Sequence, residues 1–123
     1  MKVEECMNKE AITINANASV IDALKMIAEH KVSSLPVVDE NNCLAGYVSK
    51  ENIAAADKED FEKSTIEQVM NEKVISVKSE DLLKTALDHM LNDNVNRLPV
   101  ISNNKLVGIV TRDDVINYFY GCE

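Results

Sequence analysis

The chain contains one sequence pattern twice. Leu35-Pro36-Val37-Val38 returns as Leu98-Pro99-Val100-Ile101, and the segment LAGYVS at 44–49 returns as LVGIVT at 106–111. Corresponding residues lie 63 positions apart as far as Pro36 and Pro99, but 62 apart at Gly46 and Gly108, so the first copy has one extra residue in between. A unit too small to bury its own apolar surface commonly packs against its repeat. We therefore predict two pseudo-symmetric copies of one folding unit.

The charge of the chain limits its partners. It has 123 residues, enough for one compact module, and a net charge of −8. That charge opposes binding to nucleic acid or to an anionic membrane, because both favour a surplus of Lys and Arg. No apolar run approaches the roughly 20 residues of a membrane-spanning helix, and the first residues lack the apolar region of a signal peptide. We expect a cytoplasmic protein without a nucleic-acid or membrane partner.

The residues that usually form metal or catalytic centres are scattered. Cys6, Cys43 and Cys122 are far apart in sequence, and with His30 and His89 they form no recognised metal-ligand spacing. The chain also lacks a glycine-rich phosphate loop and a recognisable cluster of Ser, His and acidic residues. We expect no enzyme activity, no metal and no cofactor.

Each copy is predicted to contain a strand, a helix, a β-hairpin and a second helix, which makes the fold α/β (α+β). Apolar residues recur at helical spacing over 20–28 and again over 83–91. Short β-branched stretches at 11–14 and 74–77 precede these helices and predict strands. Turn residues at 39–42 predict the first hairpin, and the second copy repeats it.

Polar residues predict where the helices begin and where the copies meet. Asn17 or Ser19 is expected to cap the first long helix, and Ser79 or Asp81 the corresponding helix of the second copy. The repeats are predicted at 1–60 and 66–123, joined by a connector at 61–65, and the charged stretch 57–64 between the copies is expected to be solvated.

The last helix ends in an aromatic cluster, Tyr118-Phe119-Tyr120. It is expected to pack either at a dimer interface, where aromatic residues are enriched, or in the core beneath the last helix. Both alternatives remain open from the sequence.

The two copies resemble the CBS domain, a family whose members come in pairs called Bateman modules. The resemblance rests on the Leu-Pro-Val signature, on the endings Gly46-Tyr47-Val48-Ser49 and Gly108-Ile109-Val110-Thr111, and on the acidic position that follows, and it covers the whole chain. It implies a stand-alone pair of β-α-β-β-α repeats packed through their sheets. It also implies a regulatory module that senses AMP, ADP, ATP or S-adenosylmethionine, a parallel or antiparallel homodimer, and an unidentified protein target.

In the second copy, the resemblance places a ligand site around Thr111-Arg112-Asp113-Asp114, which matches the family's (Ser/Thr)-x-x-Asp ribose motif. The two oxygens of an ionised Asp114 can accept from both ribose hydroxyls, while Thr111 and Arg97 would meet a phosphate. The adenine would lie against apolar walls. The implied residues in this copy are Ile75, Val77, Asn96, Arg97, Leu98, Pro99, Thr111, Arg112 and Asp114.

These residues also have ordinary structural roles. Thr111 and Asp114 are residue types that cap helices in any protein, and Arg97 can pair with a surface carboxylate. In the first copy the implied residues are Ile14, Ser34, Pro36, Ser49 and Asn52. There Asn52 replaces the motif aspartate and Ser34 replaces the arginine, so we expect weak binding or none. The alternative function is a dimerisation platform whose nucleotide sites have degenerated.

Overall fold

The computed structural model describes residues 1–56 and 61–120. Residues 57–60 of the predicted solvated stretch 57–64, and Cys122, therefore lie outside the described residues. The fold is mixed α/β with two three-stranded sheets, as predicted. The chain forms two compact units: a central unit, Ile12–Val74, and a terminal unit that combines Met1–Ala11 with the chain from Ile75 onward.

The central unit contains one short parallel strand, one antiparallel hairpin and three helices. Its sheet has the order β1-β2-β3, with β1 parallel to β2 and β2 antiparallel to β3. The hydroxyl of Ser19 caps α1 by accepting from the Asp22 N–H, and Val20, Ala23 and Ile27 form its buried stripe. The elements are β1 (Ile14–Asn15), α1 (Val20–His30), β2 (Ser34–Val38), β3 (Leu44–Ser49), α2 (Lys50–Ala55) and α3 (Ile66–Val69).

The terminal unit repeats this arrangement and begins with a short 3-10 turn, Val3–Glu5. Its sheet has the order β4-β5-β6 with the same strand directions. The buried residues Val77, Leu83, Met90 and Leu98 belong to its core, and Val3 joins them from the start of the chain. The elements are β4 (Val77–Lys78), α4 (Leu83–Asn92), β5 (Arg97–Ser102), β6 (Lys105–Thr111) and α5 (Arg112–Tyr120).

The two hairpins differ in their turns. Asn103 and Asn104 both have positive φ, 52° and 68°, which is the backbone geometry of a two-residue turn that matches strand twist. In the central unit, Asp39 Oδ1 accepts from the N–H groups of Asn41 and Cys43, each at 2.9 Å. The extra residue of the first copy lies in this longer turn.

Each sheet contains one glycine against which the backbone of another chain segment packs. Asn8 exchanges two backbone hydrogen bonds with Ile109, and Asn71 exchanges two with Tyr47. A Cβ on Gly108 would lie 2.8 Å from the Asn8 carbonyl oxygen, and a Cβ on Gly46 would clash with the Asn71 carbonyl. Glycine is needed at both positions because the backbone of another segment lies there.

The structure corrects two sequence predictions. Neither Ser79 nor Asp81 caps α4, whose N-cap is Leu82, because the Asp81 carboxylate accepts from the Lys78 N–H at 2.8 Å instead. The aromatic cluster does not pack in the core, since Tyr118, Phe119 and Tyr120 are 42%, 47% and 77% exposed. In the described ranges, no helix is both long and apolar enough to span a membrane.

Candidate functional site

Thr111 and Asp114 bind each other at the start of α5. The Thr111 N–H donates to Asp114 Oδ2 at 2.9 Å, and the Asp114 N–H donates to Thr111 Oγ1 at 3.1 Å. This reciprocal pair is a capping box, so the capping role considered from the sequence is present. We call it the terminal cap. It fixes the orientation of the carboxylate, and Asp114 Oδ1 has no hydrogen-bond partner among the described residues.

Arg97 lies beside the terminal cap. It is paired directly with Thr111 in the register of β5 and β6. Arg97 is half-buried and forms no ion pair within residues 1–56 and 61–120. The predicted alternative, a salt bridge to a surface carboxylate, is therefore not made in this part of the chain. Within the described ranges, Arg97 has no carboxylate partner and Asp114 Oδ1 has no hydrogen-bond donor, and both side chains belong to the terminal unit.

Arg112 differs from Arg97, because its side chain is bound to backbone carbonyl groups of the same unit. Its guanidinium donates to the carbonyl oxygens of Met90 and Val95, at 3.3 and 3.5 Å, and so ties the end of α4 to the start of α5. The Asn96 carbonyl accepts from the Arg112 N–H at 2.8 Å, while Asn96 itself is exposed. The structure thus uses these two residues of the predicted set to join the elements around the site.

The four apolar residues predicted to face an adenine are not equally accessible. Val77 and Leu98 are 2% and 0% exposed and belong to the core of the terminal unit. Pro99 is also buried, whereas Ile75 is 37% exposed. The side chains of Val77 and Leu98 face the core in this structure, which leaves Ile75 as the accessible apolar group of the four.

Ser49 and Asn52 form the corresponding pair in the central unit, which we call the central cap. Asn52 Oδ1 accepts from both the Ser49 N–H and the Ser49 hydroxyl, each at 2.9 Å, and Ser49 Oγ accepts from the Asn52 N–H at 3.1 Å. Two bonds fill the acceptor capacity of one amide oxygen. Ser34 is paired with Ser49 in the strand register and brings no charge, while Ile14 and Pro36 are buried.

Cys6 is a neighbour of the terminal cap that the sequence did not suggest. Its thiol donates to the Asp114 carbonyl oxygen at 3.4 Å, across a sequence separation of 108 residues. Burial raises the pKa of the Cys6 thiol above its usual value, and the negative charge of Asp114 raises it further. Periodicity within each repeat carries no information about this contact. Among the described residues, no three Cys, His, Asp or Glu side chains are grouped to hold a metal ion.

Known proteins share this fold at close to full length. A structure of the protein CBSX2 in complex with AMP is 29% identical, has a TM-score of 0.84, and matches over 98% of this chain and 96% of that one. The CBS domain pair of protein MJ0100, in complex with 5-methylthioadenosine and S-adenosyl-L-methionine, is 31% identical with a TM-score of 0.79, over 98% and 97% of the two chains.

Longer proteins contain a similar region. The L-aspartate semialdehyde sulfurtransferase of Methanocaldococcus jannaschii is 32% identical over 120 residues, which are 97% of this chain and 23% of that protein. The chain spans less than half the length of the curated relatives that it matches. Residues 3–59 and 66–121 each match the profile of the CBS domain. The chain therefore belongs to the CBS domain family, as a pair of CBS domains.

Proposed function

We propose that this chain is a regulatory module that binds an adenosine-containing ligand at the terminal cap. The observation that carries the proposal is the state of Asp114: the Thr111 N–H donates to one carboxylate oxygen, and the other has no hydrogen-bond partner among the described residues. The ribose of such a ligand offers two adjacent hydroxyl donors. A hydrogen bond to a charged group contributes about 1.5–3 kcal/mol, so one carboxylate can account for a large part of the affinity.

The charges around the terminal cap favour a ligand with a phosphate. Arg97 lies opposite Thr111, and a planar guanidinium binds phosphate oxygens through paired hydrogen bonds. The nine-residue helix α5 begins at Arg112, and its N-terminal dipole also favours an anion. S-adenosylmethionine carries a positive sulfonium group near the equivalent position. We therefore infer that AMP, ADP or ATP binds more tightly than S-adenosylmethionine.

The similar structures support the ligand class. CBSX2 holds AMP, and the domain pair of MJ0100 holds 5-methylthioadenosine and S-adenosyl-L-methionine. Adenosine is the part that these ligands share, and the ribose is the part that Asp114 would recognise. Binding regulates a protein target only if the ligand prefers one conformation of the module.

Isothermal titration calorimetry with each nucleotide tests the proposal. We expect one tight site per chain, and we expect Asp114→Ala to weaken binding at least tenfold, because one or more charged hydrogen bonds are lost. Asp113→Ala is the matched control, since Asp113 is the adjacent exposed acid of the same helix turn. It should change the affinity less than twofold. Circular dichroism checks that both variants fold.

Either of two results would reject the assignment. Full affinity in Asp114→Ala would show that the ligand binds elsewhere. No heat of binding with any nucleotide at millimolar concentration would show that the chain does not bind nucleotides. The second result would favour the alternative, a dimerisation platform, for which the filled oxygen of Asn52 is the supporting observation. Such a platform should form a stable dimer that does not respond to nucleotide.

A further inference from the structure

The segment Met1–Ala11, which we call the 1–11 segment, is bound to the terminal unit near both of its ends. The Val3 N–H donates to the Asp81 carbonyl at 2.8 Å, and the Val3 side chain is buried in the core of that unit. Further along, Asn8 exchanges its two backbone hydrogen bonds with β6. The segment is therefore part of the unit that carries the terminal cap.

The middle of the 1–11 segment contacts the two elements that meet at the terminal cap. The Cys6 thiol donates to the Asp114 carbonyl at 3.4 Å, in the first turn of α5. The next residue, Met7, packs against Gly108 of β6, where an added Cβ would lie 2.8 Å from the Met7 sulfur. Consecutive residues of the segment thus contact the strand before the cap and the helix within it.

The proposed ligand would join the same strand and helix. Arg97 is paired with Thr111 at the end of the hairpin, whereas Asp114 belongs to α5. A ligand that contacts both charged groups depends on how β6 and α5 are placed relative to each other, and binding groups must be held to within about 0.5 Å. Two partners that stabilise one arrangement of β6 and α5 increase each other's affinity.

The equivalent segment of the central unit differs at the position that contacts the helix. Residues 3–8 read VEECMN, and residues 66–71 read IEQVMN. Asn71 exchanges two backbone hydrogen bonds with Tyr47, so the contact to the strand is repeated. Val69 replaces Cys6, and its side chain has no hydrogen-bond donor. The hydrogen bond from the segment to the helix therefore accompanies the cap that retains the aspartate.

We propose that docking of the 1–11 segment regulates the ligand site of the terminal unit. The docked segment holds β6 and α5 in the arrangement that binds the ligand, and the ligand strengthens the docking by the same factor. Detachment of the segment then weakens ligand binding, because the competent arrangement is less populated. The ligand half of this inference rests on the proposed function, whereas the effect of the segment on α5 requires no ligand.

Hydrogen exchange measured by mass spectrometry, with and without AMP, tests the coupling. At saturating AMP, exchange in residues 2–9 should slow about fivefold or more, since opening the segment then costs ligand affinity. The equivalent residues 65–72 of the central unit are the control and should change less than about twofold. Residues 86–92 in α4 are the second control. Equal protection of 2–9 and 86–92 would show general stabilisation by the ligand and would overturn the proposal.

Cys6→Val tests the contact from the segment to the helix. It should raise the Kd of AMP about threefold, because the hydrogen bond to α5 is lost while the side chain still packs. It should reduce the protection of residues 2–9 by a similar factor. Cys43→Val is the matched control, since Cys43 is the other thiol among the described residues and lies in the central unit. Equal Kd values for the two variants would overturn the proposal.

Val3→Asp separates this inference from the proposed function, because its measurement needs no ligand. Val3 is 0% exposed, and a buried unpaired charge should detach the segment. Exchange in residues 111–116 should then rise about tenfold or more, while 86–92 stay protected. If both regions lose protection together, the unit has unfolded, and Cys6→Val decides the question.

The outcomes of these experiments distinguish the two proposals. Unchanged exchange at 111–116 in Val3→Asp would overturn the present inference even if AMP binds. Binding of AMP in calorimetry without protection of residues 2–9 would also overturn it and would leave the proposed function intact. A wild type that binds no AMP or other nucleotide would reject the proposed function and the ligand half of this inference together.

Discussion

The terminal cap and the central cap share one backbone arrangement and differ in what remains for a ligand. In both, a side-chain oxygen of the fourth residue accepts from the N–H of the first. Asn52 has one oxygen and uses it twice, whereas Asp114 has two oxygens and uses one of them once. Capping a helix and binding a ligand are therefore separable tasks. The helix needs one acceptor, and the proposed ligand would use the second.

The largest effect on stability is expected at Gly46 and Gly108, where an added Cβ would clash with another chain segment, more severely at Gly46. Gly46→Ala should cost about 3 kcal/mol of the free energy of unfolding, because the added Cβ meets the backbone at Asn71. Gly108→Ala should cost about 1–2 kcal/mol, because part of its clash is with the flexible Met7 side chain, whose sulfur lies 2.8 Å away. Urea unfolding measures both. Equal losses in the free energy of unfolding would show that the two glycine positions are equally constrained.

Exchanging the two motif residues tests the comparison of the caps directly. Asp114→Asn should keep the helix cap, and with it the melting temperature, yet lose about tenfold in nucleotide affinity, since the free charged acceptor is gone. Calorimetry and thermal unfolding of the same sample separate these effects. A large fall in stability with unchanged affinity would mean that Asp114 is a structural residue alone.

The reverse exchange should give the central unit a nucleotide site. Asn52→Asp supplies a second acceptor oxygen, and Ser34→Arg supplies a cation opposite Ser49, as Arg97 does opposite Thr111. We expect the double variant to bind two nucleotides per chain, the new site more weakly, and Ser34→Arg alone to bind one. A stoichiometry of one in the double variant would show that the central unit lacks something besides these two groups.

The smallest effect is expected from the thiol of Cys6, a position at which the central unit has Val69 instead. The pKa of Cys6 is raised in the folded protein by burial and then by Asp114, so the unfolded chain loses this proton first as the pH rises. The contribution to stability is complete below about pH 9, the value of an ordinary thiol, and is lost as the pH rises through the folded pKa. Above about pH 9 the melting temperature should fall more steeply for the wild type than for Cys6→Val, by a few degrees at most. The variant carries the residue of the equivalent position in the central unit, Val69. If the melting temperatures of the wild type and of Cys6→Val fall in parallel with pH, Cys6 does not cause the pH dependence.

The sequence predicted the elements that repeat and failed where a contact depends on other segments. The hairpins and the long helices followed from apolar spacing and from the doubled Leu-Pro-Val signature. The short strands were predicted at 11–14 and 74–77, but pairing with a parallel neighbour places them at Ile14–Asn15 and Val77–Lys78. The helix α3 was missed, although Thr65 and Gln68 mark its start, since Gln68 Oε1 accepts from the Thr65 N–H.

The residue types of the candidate site could be predicted from the sequence, but the hydrogen bonds and burial of its side chains could not. The motif identified Thr111 and Asp114, yet only the hydrogen bonds distinguish a filled acceptor from an open one. The sequence also could not separate Arg97, which has no carboxylate partner in the described ranges, from Arg112, whose guanidinium is bound to backbone carbonyls. Side-chain burial, which removes Val77 and Leu98 from a ligand-facing wall, depends on packing that periodicity does not resolve.

The division of the chain between the two units sets an order of events during synthesis. The central unit is continuous and has all its residues once Val74 has left the ribosome. The terminal unit needs Asn8 to bridge to Ile109, so its first segment must wait until Ile109 has been made. Domains commonly fold as they emerge, N-terminal parts first. The segment Met1–Ala11 is made before the central unit but finds its partners after it, and deleting this segment would damage the terminal unit rather than the central unit.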